Sequence, residues 1–206
     1  MFQFFQIPAV NPNYQCGVIG VFYGPSSECF YDCNVCDVGA GSAANVTLML
    51  EDYSYYASGG AEVLNSQFTA AQLSFQQVMS DIDSNAPILA GINPSSPGVS
   101  FGQSQHLIVI VGYAIQGGQD YLVVNDPFPY TEAGIPDPYL SAGAQSLQPE
   151  QYSVSYQTFV QSLLWNTSYD GLVLEDPQPS DRQKLEHHFD MKTKWDLEPD
   201  RYPTLH

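Results

Sequence analysis

The first half of the chain has apolar residues at helical spacing. Residues 43–57 (AANVTLMLEDYSYYA) place Val46, Leu50 and Tyr53 on one broad face, and Gly59-Gly60 follows, so the pattern predicts a helix. A second helix is predicted over about 69–83, after Thr69, and a third over 155–165. The apolar run 16–24 (CGVIGVFYG) is too short for periodicity to decide between a helix and a buried strand.

Strand patterns dominate the second half. Residues 87–92 (PILAGI) predict a buried strand, and 106–113 (HLIVIVGY) and 120–125 (DYLVVN) predict a hairpin across Gly117-Gly118-Gln119. Residues 170–175 predict a final strand, while 25–42 and 126–150 are rich in loop residues. Helices first and then a run of strands with one late helix is typical of an α+β fold rather than of alternating βαβ units.

Composition supports one folded domain. The chain has 206 residues, of which 44% are hydrophobic, enough for a substantial core. Residues 1–177 are expected to form that domain. Residues 178–206, which are polar, charged and interrupted by prolines, are expected to form a tail or peripheral arm.

No apolar run reaches the length of a membrane helix. The start, MFQFFQIPAV, lacks the basic region of a signal peptide, although earlier removal of one would leave the same sequence. We expect a monomer.

The distribution of charge excludes several functions. The chain has 22 acidic and 5 basic residues, and all five basic residues lie within 182–206. Residues 1–181 cannot neutralise phosphate, which argues against nucleic acids and anionic membrane surfaces as partners. A body without Lys or Arg also offers no site to trypsin-like proteases. That property suits a secreted or extracytoplasmic protein, although acidic or saline surroundings would also explain it.

Three residues could form a catalytic group. His106 is the only histidine before residue 187, and it begins one strand of the predicted hairpin, whereas Asp126 ends the other. Antiparallel pairing brings these two ends together, and a carboxylate beside an imidazole fixes its tautomer. If residues 16–24 begin a helix, Cys16 lies at its positively polarised end, which favours a thiolate. Cysteine, histidine and aspartate in this chain order fit a cysteine protease.

These segments carry a family resemblance. Cys16-Gly17 before apolar residues, then HLIVIVGY and YLVVNDP, resemble the papain-like cysteine peptidases over about residues 6–130. Within them the sequence is most similar to the bacteriocin-processing (double-glycine leader) branch and its secreted relatives. The resemblance implies a helical N-terminal half carrying the nucleophile Cys16 and a C-terminal antiparallel sheet carrying the base His106 and the orienting acid Asp126. It implies hydrolysis of a peptide or protein substrate without a cofactor.

The resemblance has departures. The family has a glutamine for the oxyanion hole about six residues before the nucleophile, where this chain has Val10, so Gln6 is the candidate. A second alignment sets GSAANVTLML on the Cys-x-Ala-Ala start of the family helix, with Gly41 at the cysteine position. Under that alignment the chain is an inactive papain-like binding module or secreted effector.

The remaining cysteines, Cys29, Cys33 and Cys36, allow three hypotheses. Their C-x3-C-x2-C spacing matches an iron–sulfur motif, but the barrel and basic residues that accompany it are missing. A zinc site would lack a fourth ligand at standard spacing. Secreted relatives in the family have cysteines in this loop, which implies a disulfide. With Cys16 free, one pair and one odd thiol is the simplest count, so we expect no metal.

Overall fold

The computed structural model describes residues 1–24, 27–32, 42–94, 106–130 and 132–186. Two compact units form: a sheet unit of Met1 and Ser66–Val173, and a helical unit of Phe2–Asn65 and Leu174–His206. No helix in the described ranges is long and apolar enough to cross a membrane. The helices before residue 176 are α1 (Tyr14–Tyr23), α2 (Glu28–Tyr31), α3 (Ala43–Ala57), α4 (Phe75–Asp83), α5 (Pro138–Ser141) and α6 (Tyr156–Gln161). The strands are β1 (Val63–Thr69), β2 (Ile88–Ile92), β3 (His106–Gln116), β4 (Gln119–Asn125), β5 (Gln145–Gln148), β6 (Gln151–Ser155) and β7 (Thr167–Glu175).

The fold is α+β, with a seven-stranded sheet in the order β1-β7-β2-β3-β4-β6-β5. The registered pairs of β2 with β3 and β7, of β3 with β4, and of β6 with β4 and β5 are antiparallel. This architecture is compatible with a papain-like peptidase.

The core of the sheet unit lies on the central strands, whose inward-facing side chains are fully buried: Ile88, Ala90, Ile92, Ile108, Ile110, Leu122 and Val124. Burial of such residues is the main favourable contribution to folding, at roughly 25 cal/mol per Å² of apolar surface. This central packing holds β3 and β4 in a fixed register.

The predicted hairpin is confirmed, with a tighter turn than expected. β3 and β4 pair from Gln116↔Gln119 to Val109↔Asn125, so the turn consists of Gly117 and Gly118 alone. Both glycines have positive φ, at 60° and 79°, as two-residue hairpin turns with matching twist require. The register shifts between Ile110 and Gly112, which marks a bulge.

The helical unit is built on α3, whose bounds match the prediction. Tyr53 of α3 is fully buried, and its hydroxyl accepts the Val10 N–H at 3.2 Å and donates to the Pro8 carbonyl at 3.3 Å. These two bonds hold the segment before α1 against α3. A Cβ at Gly20 of α1 would lie 2.6 Å from the Cα of Phe30, so only glycine permits the close packing of α1 on α2.

The start of the predicted tail forms part of the helical unit. Residues 179–186 are helical, and Leu185 is buried. The Lys184 ammonium lies 2.6 Å from the carboxylate of Glu51 on α3. The stretch from 187 to 206, which holds the three other histidines, lies outside the described residues.

Several sequence predictions were wrong in their bounds. The helix expected from 69 begins only at Phe75, because Ser74 and Gln77 form a capping box there. Three strands were not predicted: β1 (residues 63–69), β5 and β6. The helix expected over 155–165 ends at Gln161, and Leu164 adopts a φ of 54°, which is incompatible with helix continuation. The ambiguous run at 16 is helical, as α1.

A carboxylate pair in the sheet unit makes stability depend on pH. Asp81 Oδ2 and Asp170 Oδ1 are buried without a hydrogen-bond partner in the described chain. Burial, and then the Asp170 charge, raise the pKa of Asp81. The folded state therefore holds a proton that the unfolded chain releases near pH 3.8, so stability falls as pH rises from that value through the raised pKa.

Asp81→Asn is therefore expected to raise the free energy of unfolding at neutral pH, by less than about 1 kcal/mol because solvent screens the pair. Below about pH 3 both proteins should be equally stable, since Asp81 is then neutral in both states. Urea unfolding at the two pH values measures this. Asp83→Asn, two residues along the same helix and exposed, is the matched control. A variant no more stable than the parent at neutral pH contradicts the prediction.

Candidate active site

His106 and Asp126 meet at one end of the β3–β4 hairpin. His106 begins β3 and pairs with Ile92 of β2, while Asp126 directly follows Asn125, the last residue of β4. The His106 Nε2 lies 2.6 Å from Asp126 Oδ1. The sequence prediction that antiparallel geometry places these two residues together is confirmed.

The Asp126 carboxylate is buried and fully bonded. Only 1% of the residue is exposed, and the side chain receives three contacts from donors. Besides the imidazole, the Phe128 N–H donates to Oδ1 at 2.9 Å, and the Tyr130 hydroxyl donates to Oδ2 at 3.0 Å. The Asp126 N–H donates to the Glu150 carbonyl at 2.8 Å. These bonds offset the cost of burying the carboxylate and fix its orientation.

Two tyrosines beside this carboxylate remain neutral. Burial, and next the Asp126 charge, raise the pKa of Tyr130 well above its usual value, and the same causes raise the pKa of Tyr139. Tyr130 therefore remains a hydroxyl donor to Asp126 at neutral pH. Sequence analysis missed Tyr130 and Phe128, although their positions four and two residues after Asp126 in DPFPY are a local signal.

The bond to Asp126 determines which imidazole nitrogen can act as a base. A carboxylate only accepts hydrogen bonds, so Nε2 carries the hydrogen and, in the neutral ring, Nδ1 holds the lone pair. The His106 side chain is 14% exposed. The Phe128 ring packs edge-on against the imidazole, with centroids 6.1 Å apart, and restrains its rotation. The arrangement can take up a proton at Nδ1 and stabilise the resulting imidazolium.

Cys16 lies in a helix, one of the two structures that the sequence left open for residues 16–24, but it is not the expected free thiol. It lies in the first turn of α1, and its N–H lies 3.4 Å from Oδ1 of the N-cap residue Asn13. Cys16 and Cys29 are both disulfide-bonded, so the expectation of a free Cys16 thiol is not met. A disulfide sulfur cannot act as a nucleophilic thiolate.

The oxyanion candidate Gln6 is exposed, with a φ of 58° and its N–H bonded to the Gln3 carbonyl at 3.1 Å. Cys16 and Gln6 belong to the helical unit, whereas His106 and Asp126 belong to the sheet unit. The roles of Cys16 as nucleophile and of Gln6 as oxyanion donor therefore stay predictions. Cys33, Cys36 and Gly41 lie outside the described residues, and within the described ranges no three His, Cys, Asp or Glu residues are grouped to hold a metal.

Comparison with known proteins gives one family. Among curated proteins, none matches this chain. The model of the Peptidase_C39 like family matches residues 30–162, which include α3, the central strands, His106 and Asp126 but not Cys16 or Gln6. The narrower resemblance to the bacteriocin-processing branch stays a prediction. Because the match spans more than half of the chain, the protein belongs to the Peptidase_C39 like family, which suggests cysteine peptidase activity.

Proposed function

We propose that this protein hydrolyses peptide bonds, with Cys16 as nucleophile, His106 as general base and Asp126 as the orienting acid. The observation that carries the proposal is the buried, threefold-bonded Asp126 carboxylate on His106 Nε2, in a chain of a peptidase family. No comparable polar support would be needed for a histidine that merely ends a strand. A substrate with basic or neutral residues suits the acidic body better than an acidic one.

His106 acts through Nδ1 in this mechanism. The nitrogen takes the proton from the attacking thiol and returns it to the leaving amine. Asp126 holds the ring in the tautomer that leaves the Nδ1 lone pair available and stabilises the positive charge that follows proton uptake. The contacts from the imidazole, the Phe128 N–H and the Tyr130 hydroxyl hold the carboxylate in this orientation.

Cys16 becomes the nucleophile on reduction. Its place in the first turn of α1 puts the sulfur at the positively polarised end of the helix, which favours the thiolate. Two equivalents of a small thiol would release it, one forming a mixed disulfide and the second resolving that intermediate. We place the protein outside the cytoplasm, where oxidising conditions preserve such disulfides and would keep the enzyme latent.

The oxyanion would require a donor besides the Cys16 N–H. That N–H already faces the Asn13 side chain at 3.4 Å, a long contact that a developing oxyanion could replace. Gln6 is the proposed second donor, because Val10 stands at the position where the family has its oxyanion glutamine. This assignment supplies the electrostatic stabilisation that acyl transfer needs.

A second candidate function is a non-catalytic papain-like binding module. Two observations favour it: Cys16 is disulfide-bonded, and the family match begins only at residue 30. The match includes α3, which begins after Ser42, and the preceding residue in the sequence is Gly41 rather than a cysteine. In such a module, the His106–Asp126 pair would stabilise the hairpin.

Thiol trapping separates the two candidates. The folded protein is treated with limiting iodoacetamide with and without prior mild reduction, and the labelled cysteine is mapped by mass spectrometry. We expect Cys16 to react below about pH 7 only after reduction, faster than the buried Cys29, and to lose this reactivity in His106→Ala. Peptide hydrolysis should appear under the same reducing conditions.

A different outcome of the thiol trapping would contradict the peptidase proposal. A reduced, folded protein whose Cys16 reacts no faster than an ordinary thiol, with or without His106, contradicts the peptidase proposal and supports the binding module. Circular dichroism on the reduced sample tests whether the protein is still folded. This control is needed because loss of a disulfide can lower the free energy of unfolding by about 2–5 kcal/mol.

A further inference from the structure

A cavity opens in the sheet unit beside the histidine–aspartate pair. Its volume is about 190 Å³, and it lies between the loop that follows β4, the start of α5 and the turn that joins β5 to β6. The lining combines aromatic rings with carboxylates, chiefly Phe128, Tyr130, Tyr152, Glu132, Asp137 and Glu150. The cavity, henceforth the acidic pocket, plays no part in the mechanism proposed above.

The carboxylates of the acidic pocket have no cationic partner in their own unit. The sequence contains no Lys or Arg between residues 66 and 173. The Asp137 carboxylate caps α5 and accepts the Tyr152 hydroxyl at 2.7 Å, so it is held in place. Glu132 and Glu150 are exposed. The negative charge of the pocket is therefore uncompensated and favours a positively charged ligand.

Aromatic rings supply the walls of the pocket. Phe128 and Tyr130 pack with centroids 4.8 Å apart, and Tyr152 stacks on the buried Tyr139 at 4.3 Å with an interplanar angle of 5°. Packed rings of this kind are rigid and present π faces, which attract cations. A guanidinium group suits such a site better than an ammonium, because it is planar, stacks on rings and pairs with carboxylates through two parallel bonds.

The pocket shares its wall with the candidate active site. Phe128 contacts the His106 ring, and Tyr130 bonds the Asp126 carboxylate. Glu150 accepts the Asp126 N–H through its backbone carbonyl, and its own φ is 62°, so the turn that carries its side chain is fixed to the same aspartate. One layer of side chains, which includes Phe128 and Tyr130, therefore separates a group bound in the pocket from the His106–Asp126 pair.

We propose that the acidic pocket is a subsite that binds an arginine side chain of the peptide substrate. This inference rests on the proposed function, because it assumes a peptide substrate. It adds to that function the side chain that the substrate is expected to present. The negative charge is supplied by the exposed Glu132 and Glu150 and by Asp137, whose carboxylate accepts the Tyr152 hydroxyl. Shape comes from the rings of Phe128, Tyr130 and Tyr152.

The test measures binding without catalysis. N-acetyl-arginine amide and its uncharged isostere N-acetyl-citrulline amide are titrated into the ¹⁵N-labelled full chain, and amide shifts are followed by NMR. We expect saturable shifts at Phe128, Tyr130 and Tyr152 with the arginine compound, which weaken as salt is added. The citrulline compound should bind more weakly, because it stacks but carries no charge.

A charge-matched pair of variants assigns the site. Glu132→Gln combined with Glu150→Gln should weaken binding of the arginine compound by about 2- to 30-fold, as expected for the loss of two partly exposed ion pairs. Glu28→Gln combined with Glu175→Gln removes the same charge at two exposed positions that do not line the pocket, and binding should be unchanged. Equal binding of the two compounds, or equal weakening by both double variants, overturns the proposal.

Failure of this inference and failure of the proposed function give different results. Arginine binding at the pocket in a protein whose reduced Cys16 is unreactive keeps the subsite and removes the peptidase. Reductant-dependent hydrolysis that is equally fast for peptides with arginine and with citrulline removes the subsite and keeps the peptidase.

Discussion

Replacement of His106 by alanine is expected to lower kcat/KM for peptide hydrolysis by about 10²- to 10⁴-fold, the usual contribution of a positioned general base. The loss should appear in kcat more than in KM, because the imidazole acts on the proton in transit and contributes little to ground-state binding. Initial rates on a fluorogenic peptide, measured under reducing conditions with the parent protein alongside, give both constants.

His188→Ala is the matched control for this experiment, since it removes the same side chain from the segment after residue 186. It should retain the parent rate. Asp126→Asn provides a second check: the side chain keeps its shape, but the amide can present a donor to His106 and so favour the wrong tautomer. A fully active His106→Ala protein is incompatible with His106 as the base.

Replacement of Asp126 by alanine is expected to reduce the free energy of unfolding by about 3–5 kcal/mol, because three donors lose the buried carboxylate that accepts them. The variant removes the oxygens that the Tyr130 hydroxyl, the Phe128 N–H and the His106 Nε2 contact. A buried donor that loses its acceptor costs about 1–3 kcal/mol when water cannot reach it. Urea unfolding monitored by circular dichroism measures the change.

Asp83→Ala serves as the comparison, because Asp83 is exposed and accepts one hydrogen bond, from the Tyr113 hydroxyl at 2.8 Å. Its loss should cost less than about 1 kcal/mol. Asp126→Asn should fall between the two, since an amide oxygen can still accept from Tyr130 or Phe128. A loss at Asp126→Ala as small as that at Asp83→Ala would mean that the carboxylate does not organise this end of the hairpin.

Some elements follow from local sequence because one pattern dominates them. The helix over 43–57 has an apolar face throughout and glycines after it, and the structure gives it the predicted bounds. The hairpin strands are long, β-branched and separated by two glycines, so their pairing needed no further information. That pairing was enough to bring His106 and Asp126 together.

Other elements depend on partners that are distant in sequence. Val63–Thr69 (VLNSQFT) has no clear alternation, and it forms an edge strand because β7 lies beside it in the sheet. β5 and β6 lie in and beside a segment rich in turn residues, and β6 becomes a strand by pairing with β4. Strand formation in such segments reflects cross-strand contacts more than intrinsic preference.

By itself, the sequence determined the α+β class, the hairpin, the proximity of His106 to Asp126 and the acidic body without Lys or Arg, because each depends on local pattern or on composition alone. Only the tertiary structure decided that the Glu150 carbonyl accepts the Asp126 N–H, that Cys16 is in a disulfide and that carboxylates and aromatic rings from three segments line one cavity. These features join residues whose separation along the chain carries no periodic signal, so they arise only when the core fixes the loops in space.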